Sequence, residues 1–200
     1  MIKLGLTGSI GMGKSTTAQM FKEAGIPVFD ADKTVHGLYA KAGDAVPLLG
    51  AVFPDIINKG AVDRQKLAVH MRSDPLHLEV LESFIHPMVA RAREGFIKTS
   101  IVTGADIILF DIPLLFETGG QAYVDKVVVV TAPASIQRAR VMARPGMNGE
   151  KFEHLLSRQI PDAQKRAQAD YLIFTDKGLD HARKSVQSIL SDLRQGAGLS

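Results

Sequence analysis

The chain of 200 residues contains no cysteine. That absence excludes disulfides, thiolate zinc sites and cysteine nucleophiles together. Six scattered histidines are too few and too dispersed for a metal cluster, so any metal is expected on oxygen ligands. No apolar run approaches the ~20 residues that span a bilayer, and the N-terminal residues carry neither a basic leader nor an apolar signal core. These features lead to the expectation of a cytoplasmic protein with no membrane partner. Internal repeats and low-complexity tracts are missing as well. Charge of one sign is scarce: 24 basic against 21 acidic residues leave +3, weak grounds for a nucleic-acid partner, and none is expected.

What is present is a globular composition. Hydrophobic residues make up 46% and charged residues 22%, enough for a core in one domain that carries inserted segments. The cationic excess sits in one place: residues 138–166 hold seven basic and three acidic side chains, a local +4 that suits a clamp for a small polyanion or a solvated helix face. Strand-like and helix-like segments alternate, which predicts a parallel sheet. Strands are expected at 2–7, 26–30, 107–110, 126–130 and 171–174, the third and fourth being the nearly all-apolar runs that a sheet covered on both faces requires. Helices are expected at 15–24, across 133–168 with a break at Pro145-Gly146-Met147-Asn148-Gly149, and at about 180–193 before a glycine-rich tail. Between strands two and three lie roughly seventy residues with no convincing strand. There the pattern predicts helices near 33–42, after an N-cap at Asp63, and from Pro75 onward, with Pro87 starting or kinking the last.

Directly after the first strand, Gly8-Ser9-Ile10-Gly11-Met12-Gly13-Lys14-Ser15 fits GxxxxGK(S/T) at every fixed position. Glycines let successive N–H groups turn inward around phosphate oxygens, and a helix opening there presents its positive end to the anion. Lys14 is expected on the β- and γ-phosphates and the Ser15 hydroxyl on Mg²⁺. A dinucleotide fold is the rival, since Gly11-Met12-Gly13 opens a GxGxxG and Asp30 lies further on at a strand end. Thr16 stands where the third glycine belongs, and that reading leaves Lys14 unexplained. Asp111, closing the apolar Ile107-Ile108-Leu109-Phe110, is expected to orient Mg²⁺ or its bound water.

The remainder of the chain separates a hydrolytic switch from a phosphotransferase. A guanine-reading NKxD is absent, because Asn58-Lys59-Gly60-Ala61 lacks its aspartate and reads most simply as a turn. Asp30 and Asp32 flank Ala31 at the carboxyl end of strand two, the edge where open parallel sheets bind ligands. Either could take a proton or cap a helix, and alternation along an extended chain would put both on one side. Arg140 and Arg144, four apart, share a helix face and could bracket a triphosphate, with Arg138 displaced.

Taken in order, Thr7-Gly8-Ser9-Ile10-Gly11-Met12-Gly13-Lys14-Ser15-Thr16, Phe29-Asp30-Ala31-Asp32, His86-Pro87, Asp111-Ile112-Pro113-Leu114-Leu115-Phe116-Glu117, Arg140 with Arg144, Gln159-Ile160-Pro161 and Lys165-Arg166-Ala167-Gln168-Ala169-Asp170 resemble the dephospho-CoA kinase family over residues 2–178. The phosphate loop is shared by a superfamily; the Asp-Ala-Asp, His-Pro and Pro-Leu-Leu-Phe-Glu set is far more selective. The resemblance implies an α/β P-loop kinase fold: a three-layer core with a five-stranded parallel sheet (1–32, 104–137 and 169–200), a helical acceptor-binding insertion (33–103) and a basic lid (138–168). It implies ATP and dephospho-coenzyme A as small-molecule substrates, Mg²⁺ as the metal, and phosphorylation of the ribose 3′-hydroxyl as the last step of coenzyme A synthesis. By position, Asp32 is then the base and Lys14 and Arg140 stabilise the phosphates. Gly8, Gly11, Met12, Gly13, Ser15, Thr16 and Arg144 complete the ATP site, and His86, Leu115, Phe116 and Glu117 line the acceptor site. Two positions depart from the family pattern: Thr175-Asp176-Lys177-Gly178 stands where Asp-Asn is common, and Pro145 where a polar lid residue is common. The residues alone also admit another nucleoside or nucleotide kinase, or a nucleotide-dependent regulatory or RNA-adaptor protein, the last of which would not need Asp32 together with Pro-Leu-Leu-Phe-Glu.

Overall fold

The structure is a computed structural model that describes residues 1–198. The chain divides into two compact units, residues 1–29 together with the chain from Ser100 onward, and Asp30–Thr99. In chain order the elements begin with β1 (Ile2–Thr7), α1 (Lys14–Glu23), β2 (Val28–Asp30), α2 (Ala31–Tyr39) and α3 (Ala45–Val52). Next come β3 (Ile57–Asn58), β4 (Ala61–Val62), α4 (Arg64–Ser73) and α5 (Pro75–Val102). The chain finishes with β5 (Ile107–Asp111), β6 (Lys126–Thr131), α6 (Ala134–Met142), α7 (Gly149–Ser157), α8 (Asp162–Ala167), β7 (Tyr171–Phe174) and α9 (Leu179–Gly196). Among the described residues no helix is long and apolar enough to cross a membrane.

The sheet of the first unit runs β2-β5-β1-β6-β7, with parallel pairing on both sides of β1 and between β6 and β7. Alternation sorts its side chains. Leu4, Leu6, Val128 and Val130 face one way, into a core closed by Phe21 of α1 and by Ala182, Val186, Ile189, Leu190 and Leu193 of α9. Those five α9 positions recur at the three- and four-residue spacing that puts them on one stripe. Val127 and Val129 face the other way, against Leu115 and Phe116. Both faces of the sheet are therefore covered, which is why its central strands are nearly all apolar. Each Leu or Val buried here contributes about 1.5–3 kcal/mol.

The second unit has its own core of Leu49, Phe53, Ile56, Leu67, Ile85 and Met88. Asp63 caps α4 as expected, accepting the Gln65 and Lys66 N–H groups at 2.9 and 3.2 Å. Four expectations need correction. A small antiparallel hairpin, β3 with β4, lies where no strand was expected. Its Lys59-Gly60 turn has φ of 50° and 79°, the left-handed pair that tight hairpins demand, but two-residue strands are too short to show a period-2 pattern. Pro87 does not start α5, which opens at Pro75 and continues through it for 28 residues in all. The buried Ile85 and Met88 on either side anchor that helix in the core and offset the missing N–H. The chain turns helical at Ala31, not Lys33, so Asp30 and Asp32 are not neighbours on one side of an extended strand. Finally, α6 stops at Met142, before Arg144, because a residue preceding proline disfavours helical geometry. At the C-terminus α9 extends to Gly196, past the expected end, and residues 199 and 200 of the glycine-rich tail lie outside the described residues.

Candidate active site

The phosphate loop joins the end of β1 to the first turn of α1. Gly13 is the N-cap of α1 at φ 93°, and no side chain caps the helix, so its leading N–H groups face outward as an anion site. Gly11 has φ 79°, and a Cβ there would lie 2.5 Å from Val141 Cγ2, so both backbone conformation and packing require glycine. Thr7 Oγ1 donates to the Pro113 carbonyl at 3.0 Å and ties the loop's entry to the segment after β5.

Lys14 rises from the loop and pairs with the Asp111 carboxylate at the end of β5, with both side chains largely buried. Asp111 is thus confined beside the lysine of the loop. The Ser15 hydroxyl sits one residue further, exposed on the first turn of α1. Arg140, on α6, closes a fork on Thr175: Nη1 donates to its Oγ1 at 2.8 Å and Nη2 to its carbonyl at 2.9 Å. Thr175 Oγ1 in turn donates to the Met12 carbonyl at 2.8 Å. Gly11, Gly13, Thr16, Arg140, Arg144, Thr175 and Gly178 line a cavity of about 290 Å³. Of the clustered basic residues, Arg138 is spent on Glu153, Arg166 on Asp162 and Lys165 on Glu117. Arg140 and Arg144 are the pair that reaches the cavity.

The acceptor candidates divide between the two units. Asp30 is the N-cap of α2, its Oδ1 accepting the Lys33 N–H at 2.8 Å. Asp32 lies in the first turn of the same helix, exposed, with no hydrogen bond or ion pair among the described residues. His86 is exposed on α5. In the first unit Leu115 and Phe116 are buried in the apolar cluster under β6. Glu117 follows them and is occupied, with Oε1 accepting the Ile160 N–H at 2.9 Å and lying 2.7 Å from Lys165 Nζ. The spacing of the sequence did not identify Thr175, Gln137, Gln159 or Lys165 as parts of this arrangement. The Gln-Ile-Pro stretch, the Lys165–Asp170 stretch and the departure at Thr175 pointed to that region.

A phosphate loop at the head of a parallel sheet, a strand-end aspartate beside its lysine and an arginine pair over the adjoining cavity define a P-loop kinase. The family model for dephospho-CoA kinase matches residues 2–181. A dephospho-CoA kinase from Mesorhizobium japonicum is 52% identical over 198 residues, covering 99% of this chain and all of that protein. A crystal structure from Thermus thermophilus superposes with a TM-score of 0.79 at 30% identity, over 96% of this chain and 97% of that one. The dephospho-CoA kinase of Campylobacter jejuni shares the fold, with a TM-score of 0.65 at 22% identity over 96% of each chain. The chain belongs to the dephospho-CoA kinase family.

Proposed function

We propose that this chain transfers the γ-phosphoryl group of ATP to the ribose 3′-hydroxyl of dephospho-coenzyme A, giving coenzyme A and ADP in the cytoplasm, with Asp32 taking the proton. The observation that carries this reading is the phosphate loop built around Lys14 and backed by Asp111, together with Arg140 and Arg144 at one cavity. Phosphoryl transfer of this class asks little covalent chemistry of a protein, so catalysis is positioning plus charge stabilisation. The α1 N-terminus, Lys14 and Arg140 stabilise the equatorial oxygens, and Asp111 keeps Lys14 aimed at them. The cavity beside Thr175 and Gly178 takes the nucleoside end of ATP.

Asp111, paired with Lys14, and Ser15, next to it in the chain, offer the hard oxygen ligands that Mg²⁺ prefers and would hold the ion directly or through water. An ion held there would supply charge neutralisation to the phosphates. On the acceptor side we assign Asp32 and His86 of the second unit and, in the first unit, Leu115, Phe116 and Glu117. Asp32 suits a general base because no group in the described structure occupies its carboxylate, whereas Asp30 is committed to capping α2. The test is ADP release from MgATP with and without dephospho-coenzyme A. Acceptor-dependent release is expected; acceptor-independent hydrolysis, or none, overturns the reading.

A further inference from the structure

The stretch Gln159-Ile160-Pro161 takes no part in the chemistry above, yet it touches the phosphate loop. Gln159 Oε1 accepts the Ile10 N–H at 3.0 Å, and Gln137 Nε2, from the buried face of α6, donates to the Ile10 carbonyl at 2.8 Å. Both backbone polar groups of one loop residue are therefore held by side chains distant in sequence. The neighbouring Gly11 packs against Val141 and the Gln137 backbone, so α6 closes one side of the loop by contact. Gln159 is the grip from outside that helix.

A second layer holds Gln159 itself. The next N–H, that of Ile160, donates to Glu117 Oε1, and the same oxygen lies 2.7 Å from Lys165 Nζ. Lys165 is fully buried and Glu117 is 12% exposed, so two charges have been taken out of water. Among the described residues neither Lys165 Nζ nor Glu117 Oε2 makes an aligned hydrogen bond, which leaves the attraction between the two groups as their main compensation. Such a pair adds little net stability, but it tolerates few geometries, because separating its members strands a buried charge. The Ile160 backbone, and with it the Gln159 side chain, is thereby referenced to the segment after β5. Residue type fits the task too. A carboxylate at 159 could accept the same N–H but would set a negative charge beside a loop meant for phosphates, whereas an amide supplies the acceptor oxygen without charge.

We propose that Gln159 is a positioning residue for the phosphate loop, anchored by the buried Glu117–Lys165 pair, which sets the Ile10 peptide before nucleotide arrives. The proposal rests on the nucleotide-site reading above, but its first readout needs no substrate. In ligand-free protein the Ile10 amide should exchange slowly with solvent, and Gln159→Met, which keeps length and removes the acceptor, should speed it roughly tenfold. The same variant should raise KM for MgATP roughly 3- to 10-fold, on the order of one lost hydrogen bond, and leave KM for dephospho-coenzyme A within about twofold. Gln159→Glu retains an acceptor oxygen and should restore slow Ile10 exchange while still weakening MgATP. The double variant Glu117→Met/Lys165→Met removes the acceptor of the Ile160 N–H and both charges together, so it strands no charge, and should loosen Ile10 as Gln159→Met does.

Parent-like Ile10 exchange in Gln159→Met, or a rise in the acceptor KM in place of the MgATP KM, overturns the proposal. If Gln159→Met does not fold, Gln159→Glu decides alone: slow Ile10 exchange supports the proposal and fast exchange overturns it. An inactive parent enzyme with a protected Ile10 would count against the assigned reaction and leave the positioning role standing.

Discussion

Arg140 and Thr175 form a two-point fork in which one guanidinium binds both the hydroxyl and the carbonyl of a single residue. Because the same hydroxyl donates to the Met12 carbonyl, the arginine over the cavity and the backbone of the phosphate loop share one atom. Hydrogen bonds to charged groups are the strong ones, so Thr175→Val, which keeps the shape, should lower kcat at least tenfold. Thr175→Ser should stay close to the parent. Steady-state turnover of the two variants checks this, and equal rates for valine and serine would remove Thr175 from the phosphate-binding arrangement.

In the proposed reaction Lys14 serves two ends, charge on the phosphates and, as the structure shows, cover for Asp111. Lys14→Met should lower the transfer rate roughly 10²–10³-fold, the scale of losing one preorganised stabiliser of transition-state charge. It should also destabilise the fold by about 1–3 kcal/mol, because the buried Asp111 carboxylate loses its ion pair. Adding Asp111→Asn should recover stability without recovering rate. Thermal melts and single-turnover transfer separate the two effects, and a double variant that regains speed would contradict the role of Lys14.

For the two carboxylates of the Asp-Ala-Asp stretch, stability and rate should part company. Asp32→Asn cannot accept a proton and should slow transfer roughly 10²–10⁴-fold with little change in melting. Asp30→Ala should remove a helix cap at a cost of about 1 kcal/mol, and Asp30→Asn should cap nearly as well as aspartate. The comparison fails if Asp30→Asn is slower than Asp32→Asn at saturating substrates.

Alkaline stability is expected to depend on Tyr171. Burial, followed by its hydrogen bond to Asp192 and the negative charge there, pushes the phenol up to about 12. The unfolded phenol titrates near ~10. The folded state therefore keeps a proton that the unfolded state releases, and this group's stabilisation is complete below ~10 and is lost as pH rises through about 12. Melting temperature should fall across that window, and less steeply in Tyr171→Phe. An identical slope in both proteins would show that the phenol is not responsible.

The strands and the phosphate loop were legible because their signals are local. An apolar run covered on both faces, or glycines at fixed spacing before a helix, can be read within ten residues. The turn at Lys59-Gly60 was legible too, but the two-residue strands flanking it are too short to show a period, and the passage of α5 through Pro87 was not legible, since packing there outweighs local preference. The same division runs through the site. Lys14 and Arg140 stand in recognisable company, whereas Thr175 matters through Met12, and Gln159 through Ile10, across separations at which no periodicity operates. Asp30 and Asp32 were indistinguishable as a pair in extended chain; the onset of α2 at Ala31 is what gives them different surroundings.

The placement of β1 has a consequence for biosynthesis. Its native neighbours are β5 and β6, with Ile2 opposite Ile107 and Leu4 opposite Lys126. The first strand to leave the ribosome is the middle of the finished sheet, and more than half of the chain must follow before either neighbour exists. Until then an apolar segment waits with both hydrogen-bonding edges open, the condition under which strands are captured by chaperones or by each other. The Asp30–Thr99 unit, with helices and a hairpin close in sequence and a core of its own, meets no such delay. An early-forming helical unit, followed by slow non-local closure of the nucleotide-binding sheet, is the expected order of events as the chain emerges.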